Sequence, residues 1–251
     1  MNVEYARALA FWQSQNIRAA ADLDLSLDHF RILFAYHSGK IENAQVDYHD
    51  TREIFENGKV LAFTGDPRTL FEQQNQKLCY AFLREKIAGR EPLTLSLVLE
   101  VHAVLTAGTY DERRFVLRGE RPGQLKKHDY VTGRHEAGSA PEDTEEELEV
   151  LLTELREADA TRDLLLSAAY FHAAFENIHP FADGNGRVGR MLLNYFLMIH
   201  DHPPLIVFDE DKKAYYAALE AYDSGEDLEP LREFLEGQLV KTWGRRVAMS
   251  E

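Results

Sequence analysis

Twelve consecutive residues constrain this chain more than any other part of it. Residues 179–190 read His-Pro-Phe-Ala-Asp-Gly-Asn-Gly-Arg-Val-Gly-Arg. Apolar side chains recur at helical spacing in residues 161–178 before the run, and again in residues 188–199 after it. The pattern therefore predicts a loop between two buried helices, with the Asp-Gly-Asn-Gly segment at the start of the second helix.

This loop has the composition of an anion site. Free backbone N–H groups and the positive end of the helix dipole both favour an anion at a helix N-terminus. Gly184 and Gly186 carry no Cβ, so a phosphate can approach the backbone closely. Arg187 and Arg190 lie one turn apart on the predicted helix, so both guanidiniums can reach the same pocket, and Asn194 continues that face.

Two further residues of the run add reaction chemistry. Asp183 suits a magnesium ion, which takes one or two carboxylates together with phosphate oxygens and water. His179 has an imidazole that can accept a proton from an attacking hydroxyl near neutral pH. Taken singly, such residues are ordinary helix ends, turns and solvated charges. Because all of them serve one reaction within twelve positions, we interpret the run as an active site.

The run resembles, position for position, the Fic family signature His-x-Phe-x-(Asp/Glu)-Gly-Asn-Gly-Arg-x-x-Arg. The resemblance implies an all-α Fic-type helical bundle with one short β-hairpin flap, whose Fic core spans residues 61–251. It also implies a protein adenylyltransferase, which uses Mg²⁺ and transfers AMP from ATP to a hydroxyl side chain of a target protein. Self-modification is expected as well, because the protein's own hydroxyls are present at high effective concentration.

The resemblance also assigns roles by position. His179 is similar to the general base of the family, and Asp183 is similar to its magnesium ligand. Arg190 resembles the arginine that holds the γ-phosphate, and Phe181 resembles the apolar residue packed beneath the loop. The residues that resemble the phosphate cradle are Gly184, Asn185, Gly186 and Arg187.

A short polar segment at residues 38–43 follows a predicted helix that begins near Leu27. Periodicity alone favours a helix that ends near Gly39 and a polar loop after it. The segment nevertheless resembles the inhibitory pattern (Ser/Thr)-x-x-x-Glu-(Gly/Asn) of many Fic proteins. The matching positions are Ser38, Glu42 and Asn43.

This second resemblance implies autoinhibition. A glutamate directed at Arg190 would occupy the cation that the γ-phosphate needs, so Glu42 is expected to restrain the transfer. The segment would belong to an N-terminal helical extension, residues 1–60, that precedes the Fic core.

The helical pattern stops between residues 113 and 138, where glycine and proline interrupt β-prone residues. We predict one short hairpin here, although a plain surface loop is the ordinary alternative. In the family this position holds a flap that aligns the target segment by strand addition. Two lysines and His128 make the stretch basic, which would suit an acidic target segment or a nucleotide phosphate, although solvated charges are the ordinary interpretation. The residues assigned to the target flap are Gln124, Leu125, Lys126 and Lys127.

Apolar spacing predicts the remaining helices at residues 3–19, 50–55, 66–89, 94–105, 210–222 and 227–243. Another helix is expected to begin with a capping box between Thr144 and Glu147. His102 lies among apolar neighbours, so a packing histidine is favoured over a metal ligand. Cys79 lies in an apolar helical pattern and is expected to be a buried structural thiol.

Composition narrows the possible partners. The net charge of −15 argues against general binding to nucleic acid or to an anionic membrane, since both need a basic surface. No apolar run reaches the length of a membrane span, and no signal-peptide pattern is present. With its single cysteine, the chain is expected to be cytoplasmic. The sequence specifies neither the target protein nor the oligomeric state.

Three alternatives to forward AMP transfer stay open. A reversed nucleotide pose would transfer a terminal phosphate, although family members with that pose usually depart from Gly-Asn-Gly-Arg. The same site can run in reverse and remove AMP from a modified protein, with Glu42 orienting the attacking water. The third alternative is a nucleotide-sensing module without useful catalysis, and the intact His179 argues against it.

Overall fold

The computed structural model describes residues 2–61, 63–132, 136–157 and 163–250, and within these ranges the chain is an all-α bundle with one two-stranded hairpin. The predicted fold class is therefore confirmed. The α-helices are α1 (Val3–Ser14), α2 (Ala20–Ser26), α3 (Asp28–Glu42), α4 (Tyr48–Asn57), α5 (Pro67–Ala88), α6 (Leu95–Leu105), α7 (Thr144–Glu157), α8 (Leu164–Ile178), α9 (Asn185–Ile199), α10 (Lys212–Gly225) and α11 (Glu229–Ser250). The strands are β1 (Val131–Thr132) and β2 (Glu136–Ala137).

Helix α9 is the centre of the bundle. Every one of its residues except Gly186 is buried, and α3, α5, α6 and α8 pack around it. A helix enclosed on all sides must bury its polar residues as well as its apolar ones. Consequently Arg187, Arg190 and Asn194 all lie inside the protein, where each needs a partner.

The N-terminal helices share the hydrophobic core of the rest of the chain. Trp12 of α1 packs edge-on against Trp243 of α11, with ring centroids 5.4 Å apart, and Phe30 of α3 stacks on the same indole at 6.1 Å. The Tyr5 hydroxyl lies 2.8 Å from Nε2 of His202. Residues 1–60 are thus continuous with the main core, and their division from residues 61–251 as a unit stays a prediction.

Helix α3 runs through the polar segment to Glu42, so the prediction of a helix end near Gly39 is wrong. Gly39 lies against α5, where a Cβ would lie 2.2 Å from Nε2 of Gln73. Packing at this close approach outweighs the low helix propensity of glycine. The helix ends at Asn43, whose N–H donates to the Gly39 carbonyl at 2.9 Å, and the Lys212 ammonium donates to the Ile41 carbonyl.

Several other boundaries differ from the sequence expectation. The helix predicted at 3–19 ends at Ser14, because Asn16 takes a left-handed conformation with φ of 50°. Asp66 and Pro67 begin α5 as predicted. The capping box at Thr144 is wrong, since its hydroxyl donates to the Ala140 carbonyl at 2.8 Å instead.

The hairpin is shorter than predicted. Val131 pairs with Ala137 and Thr132 with Glu136, while residues 133–135 lie outside the described residues. Residues Arg113–Leu117 form a π-helical turn. The segment after it folds around the buried carboxylate of Glu120, which accepts hydrogen bonds from the Lys127 N–H, the Tyr130 hydroxyl and the ring of His128. This buried acid holds the backbone away from strand pairing.

Two expectations drawn from composition can be compared with the structure. Cys79 is fully buried in α5 and free, as predicted, and burial raises the pKa of its thiol. A search of the described helices finds none that is both long and apolar enough to cross a membrane.

Candidate active site

The signature loop is held rigidly between α8 and α9. His179 ends α8 in the left-handed region with φ of 50°. The Asn185 side chain accepts from the Phe181 N–H at 2.9 Å and donates to the Phe181 carbonyl at 2.8 Å. This double clamp uses the amide of Asn185, so only its backbone is free to contact a phosphate.

Beneath the loop, Phe181 stacks on His102 with ring centroids 3.7 Å apart and planes 4° from parallel. Nδ1 of His102 accepts from the Gly123 N–H at 2.8 Å, and Nε2 lies 3.1 Å from the Asp183 carbonyl. These partners fit a neutral ring, and burial lowers its pKa to about 4. The prediction that His102 is a packing histidine is confirmed, and the ring joins the flap region to the signature loop.

His179 is partly buried between two backbone segments. Burial, followed by the charge of Lys126, lowers its pKa to about 4, so the imidazole is neutral near pH 7. A Cβ on Gly138 would lie 2.7 Å from Cβ of His179, so the residue after β2 approaches as closely as only glycine allows. A neutral imidazole at this position can accept a proton from a hydroxyl presented beside it.

The first turn of α9 already contacts a carboxylate. Gly184 adopts φ of 84° just before the helix. A Cβ on Gly186 would lie 2.4 Å from Oε1 of Glu42 and 2.9 Å from Nη1 of Arg190. Helix dipole, glycine and guanidinium all favour an anion here. In this conformation the Glu42 carboxylate therefore lies where the sequence predicts that an anion binds.

Arg190 is almost completely buried, and three of its hydrogen bonds go to α3. Nε donates to the Ser38 hydroxyl at 3.0 Å, and Nη2 donates to the Ser38 carbonyl at 3.0 Å and to Oε1 of Glu42 at 2.7 Å. Burial works against the Glu42 carboxylate, but the charge of Arg190 outweighs it and lowers the Glu42 pKa. The Glu42 side chain is 37% exposed, so water screens the pair on one side.

Asn43 has a different place from Ser38 and Glu42. Its amide donates to the Thr69 hydroxyl at 3.0 Å and accepts from the Gln45 N–H at 2.9 Å. Asn43 thus ends α3 and ties it to α5 without contacting Arg190. At the preceding turn, His37 lies 2.6 Å from Oδ1 of Asp209, which fastens α3 to the segment before α10.

The prediction that Arg187 and Arg190 reach the same pocket is wrong for Arg187. It is buried, with Nη1 3.0 Å from Glu72 and Nη2 3.9 Å from Asp183. Arg68 completes a four-charge network, since it donates to Glu72 at 2.9 Å and to Oδ2 of Asp183 at 2.5 Å. The expectation for Asn194 is also wrong, because its amide is held by the Leu205 backbone.

Arg68 and Glu72 are site residues that sequence reasoning missed. At i and i+4 on a helix they read as an ordinary surface ion pair, and only the fold brings them to Asp183 and Arg187.

The residues assigned to the flap, Gln124–Lys127, lie outside the two strands. Lys126 is buried, and its ammonium donates to the Ile178 carbonyl at 3.3 Å. The Lys127 ammonium donates to the Gly119 carbonyl at 2.7 Å, and His128 pairs with Glu120. Lys126 is therefore not available to an outside partner, whereas Lys127 and His128 are exposed, as expected for solvated groups. Gln124 is exposed and Leu125 packs against the core.

Glu176 is a buried acid that the sequence did not identify. Its Oε1 has no hydrogen-bond partner in the described structure, and a Cβ on Gly189 would lie 2.5 Å from it. Burial raises its pKa to about 7, against the opposing charge of Arg190, and the nearby Glu42 raises it further. Arg190 thus faces a charged carboxylate on α3 and one on α8 that is protonated at mildly acid pH.

Comparison with known proteins places this site in context. The family model described as Fic/DOC family matches residues 92–197. Protein adenylyltransferase fic-1 of Caenorhabditis elegans is 31% identical over 208 residues, which cover 79% of this chain and 37% of that protein. Protein adenylyltransferase Fic of Drosophila persimilis is 27% identical over 218 residues, covering 82% and 39%. The chain thus spans less than two fifths of the length of these relatives.

Solved structures show the same fold. A Fic domain containing signaling protein from Bacteroides thetaiotaomicron aligns with a TM-score of 0.81 at 22% identity, over 97% of this chain and 95% of that one. Fic-1 (residues 134–508) from C. elegans aligns with a TM-score of 0.75 at 23% identity, over 98% and 72%. At these identities the likeness concerns the fold alone.

The first prediction concerns Glu176 and stability. Because its folded pKa is about 7 against an ordinary 4.5, the folded protein retains a proton that the unfolded chain releases. Stability should therefore fall as pH rises from about 5 to about 8, by up to about 3 kcal/mol from this group. Urea unfolding at both pH values should show that Glu176→Gln loses this part of the slope. The control Glu220→Gln, at an exposed position, should keep this pH dependence. The same pH dependence of the free energy of unfolding in all three proteins would contradict the assignment to Glu176.

The second prediction concerns the His179 imidazole. In an NMR titration between about pH 5 and pH 8, the wild-type ring should stay neutral, because its pKa is about 4. Lys126→Met removes a positive charge that lowers this pKa, so the ring should titrate nearer its ordinary 6.5. Lys127→Met, which removes an ammonium bound at Gly119, serves as the control and should leave the ring unchanged. A wild-type midpoint near 6.5 would show that burial does not control this histidine.

Proposed function

Because the chain belongs to the Fic/DOC family, we propose that it transfers AMP from ATP to a hydroxyl side chain of a protein and that Glu42 restrains this transfer. The observation that carries the proposal is the anion site on the first turn of α9. There Arg190 pairs with Glu42 at 2.7 Å, next to a loop that begins with a neutral imidazole. The names of the relatives, protein adenylyltransferases, support the reaction type.

In the proposed step His179 accepts the proton of the target hydroxyl. The hydroxyl oxygen forms a bond to the α-phosphorus of ATP while the bond from that phosphorus to the bridging oxygen breaks, and pyrophosphate leaves. The backbone of the first turn of α9 and the Arg190 guanidinium stabilise the negative charge on the leaving group. Proton abstraction needs the neutral form of His179, which its low pKa supplies near pH 7.

Asp183 would hold the magnesium ion. It is a single carboxylate beside the anion site, with Oδ1 accepting from the Gly184 N–H at 2.9 Å and Oδ2 paired with Arg68. One carboxylate fits Mg²⁺, which completes its shell with phosphate oxygens and water. When bound, the ion would neutralise phosphate charge. In this structure the Arg68 guanidinium supplies the positive charge beside Asp183. Arg68 and Mg²⁺ would therefore compete for the Asp183 carboxylate.

Autoinhibition follows from the same geometry. Arg190 has one pocket-facing side, and Glu42 takes it while Ser38 fixes the guanidinium from the other. A terminal phosphate and the Glu42 carboxylate cannot share this position, because like charges in contact repel. Since Glu42 is 37% exposed, water can solvate its carboxylate on release, and the terminal phosphate would take its place beside the buried Arg190.

Removal of AMP from a modified protein is the second candidate function. It is favoured by one observation, the partly exposed Glu42 carboxylate at the anion site, where it can orient a water molecule. Incubation with ATP labelled at the α-position tests forward transfer, and incubation of an AMP-modified protein tests the reverse. Label that enters protein only from the γ-position would indicate phosphate transfer and contradict both.

The third prediction concerns Glu42. Glu42→Gly should increase transfer of α-labelled AMP roughly 10- to 150-fold, since it removes a charge-assisted hydrogen bond of about 1.5–3 kcal/mol from Arg190. Self-modification should rise first, because the protein's own hydroxyls are nearest. Glu42→Gln keeps the shape and loses the charge, so it should give partial relief. Adding His179→Ala to Glu42→Gly should abolish the gain. An unchanged rate in Glu42→Gly would refute autoinhibition.

The fourth prediction concerns Arg68 and magnesium. Titration calorimetry of ATP in the Glu42→Gly background should show that Arg68→Gln needs up to about tenfold less Mg²⁺ for the same affinity, because Asp183 loses its competing cation. Asp183→Asn should bind ATP with little dependence on Mg²⁺. The exposed ion pair of Arg52 with Glu56 provides a control, and Arg52→Gln should behave as the parent. If Arg68→Gln and Asp183→Asn respond alike, the assigned competition is wrong.

A further inference from the structure

A groove of about 470 Å³ lies between α7 and α8, and no proposed catalytic group lines it. Its floor is apolar and consists of Val150, Leu151, Ala174 and Ile178. Val150 is 51% exposed, and it adjoins the other apolar residues of the floor, so its side chain is open to contact from outside. The floor therefore offers an anchor position for an apolar side chain from outside.

The rim of this groove is acidic. Asp143, Glu146, Glu147 and Glu154 line it, and no basic side chain in the described ranges forms an ion pair with any of them. Glu147 accepts from the Ser139 hydroxyl and Glu154 from the Tyr170 hydroxyl, and both of these donors are neutral. Lys126 interacts electrostatically with Glu147, but its ammonium is buried and bound to the Ile178 carbonyl. A partner with positive charge would complement this rim.

The position of the groove connects it to the candidate active site. Ala174 and Ile178 lie one turn apart on α8, so the floor leads to the residue directly before His179. On the same side, the Ser139 N–H donates to the Ile178 carbonyl at 3.1 Å, so the chain leaving β2 borders the groove. A segment seated here would continue toward both the hairpin and the imidazole.

We propose that the α7–α8 groove binds a segment of the target protein that carries lysine or arginine on both sides of an apolar anchor, and so presents a neighbouring hydroxyl to His179. This inference rests on the proposed function. The preferred sign of charge is set by the rim carboxylates, because the nearby Lys126 is buried and bound to the Ile178 carbonyl. A nucleic acid or a second copy of this acidic chain would meet repulsion at the rim.

The test separates binding from transfer. Fluorescence anisotropy measures the binding of a labelled peptide to the His179→Ala protein. The peptide has lysines on both sides of a leucine, and an alanine stands in place of its hydroxyl residue. The basic peptide should bind, more weakly as salt rises, and the same peptide with glutamates for lysines should not bind. The double variant E146Q/V150S should weaken binding about tenfold. Both of its positions are exposed, so the fold should persist. E149Q, on α7 but outside the groove, should bind as the parent.

Transfer provides the second readout. In the Glu42→Gly background, the serine form of the basic peptide should be modified, and E146Q/V150S should raise KM about tenfold with kcat unchanged. Equal binding of acidic and basic peptides, or an unaltered KM in E146Q/V150S, would overturn the inference. So would a dimer that E146Q/V150S dissociates, since a second copy would then fill the groove. If the peptide binds as expected but no AMP is transferred, the proposed function fails and the binding surface stands.

Discussion

The buried guanidinium of Arg190 is the charge on which the rest of this structure depends. A cation inside the central helix must be paired and hydrogen-bonded, because an unpaired charge in the interior is destabilising by several kcal/mol. Ser38 and Glu42 meet that need in the present conformation. The requirement explains why α3 continues through Gly39, and why Asn43 and Lys212 hold its end in place.

Helix α9 combines this constraint with a general property of helix N-termini. Its first turn favours an anion, and its two arginines are paired with different acids, Glu42 for Arg190 and Glu72 for Arg187. Glu72 is buried, whereas Glu42 is partly exposed. Because water can replace the partner of an exposed carboxylate more readily, the pair at Glu42 is the one suited to open for a nucleotide. The buried pair of Arg187 and Glu72 instead holds the signature loop in its conformation.

The surroundings of His179 show how the same charges affect chemistry and recognition. Lys126, which the sequence placed on a basic flap, is buried beside the imidazole, where it helps to lower the pKa of His179. With that cation turned inward, the groove between α7 and α8 is lined by carboxylates and, among the described residues, by no basic side chain. A neutral base and an acidic groove therefore lie side by side, although the sequence pattern alone indicated a basic approach.

The sequence by itself determined the all-α class and the loop between two buried helices, and it predicts an anion site at the start of the second helix. These rest on local signals, namely apolar spacing, glycine before a helix and arginines one turn apart. The tertiary structure alone decided which charges meet. Arg68 lies 115 positions from Asp183, and Ser38 lies 152 from Arg190, so no local pattern could pair them. It also turned Arg187 toward Glu72, because a helix enclosed on all sides has to find partners for its charges wherever the fold supplies them.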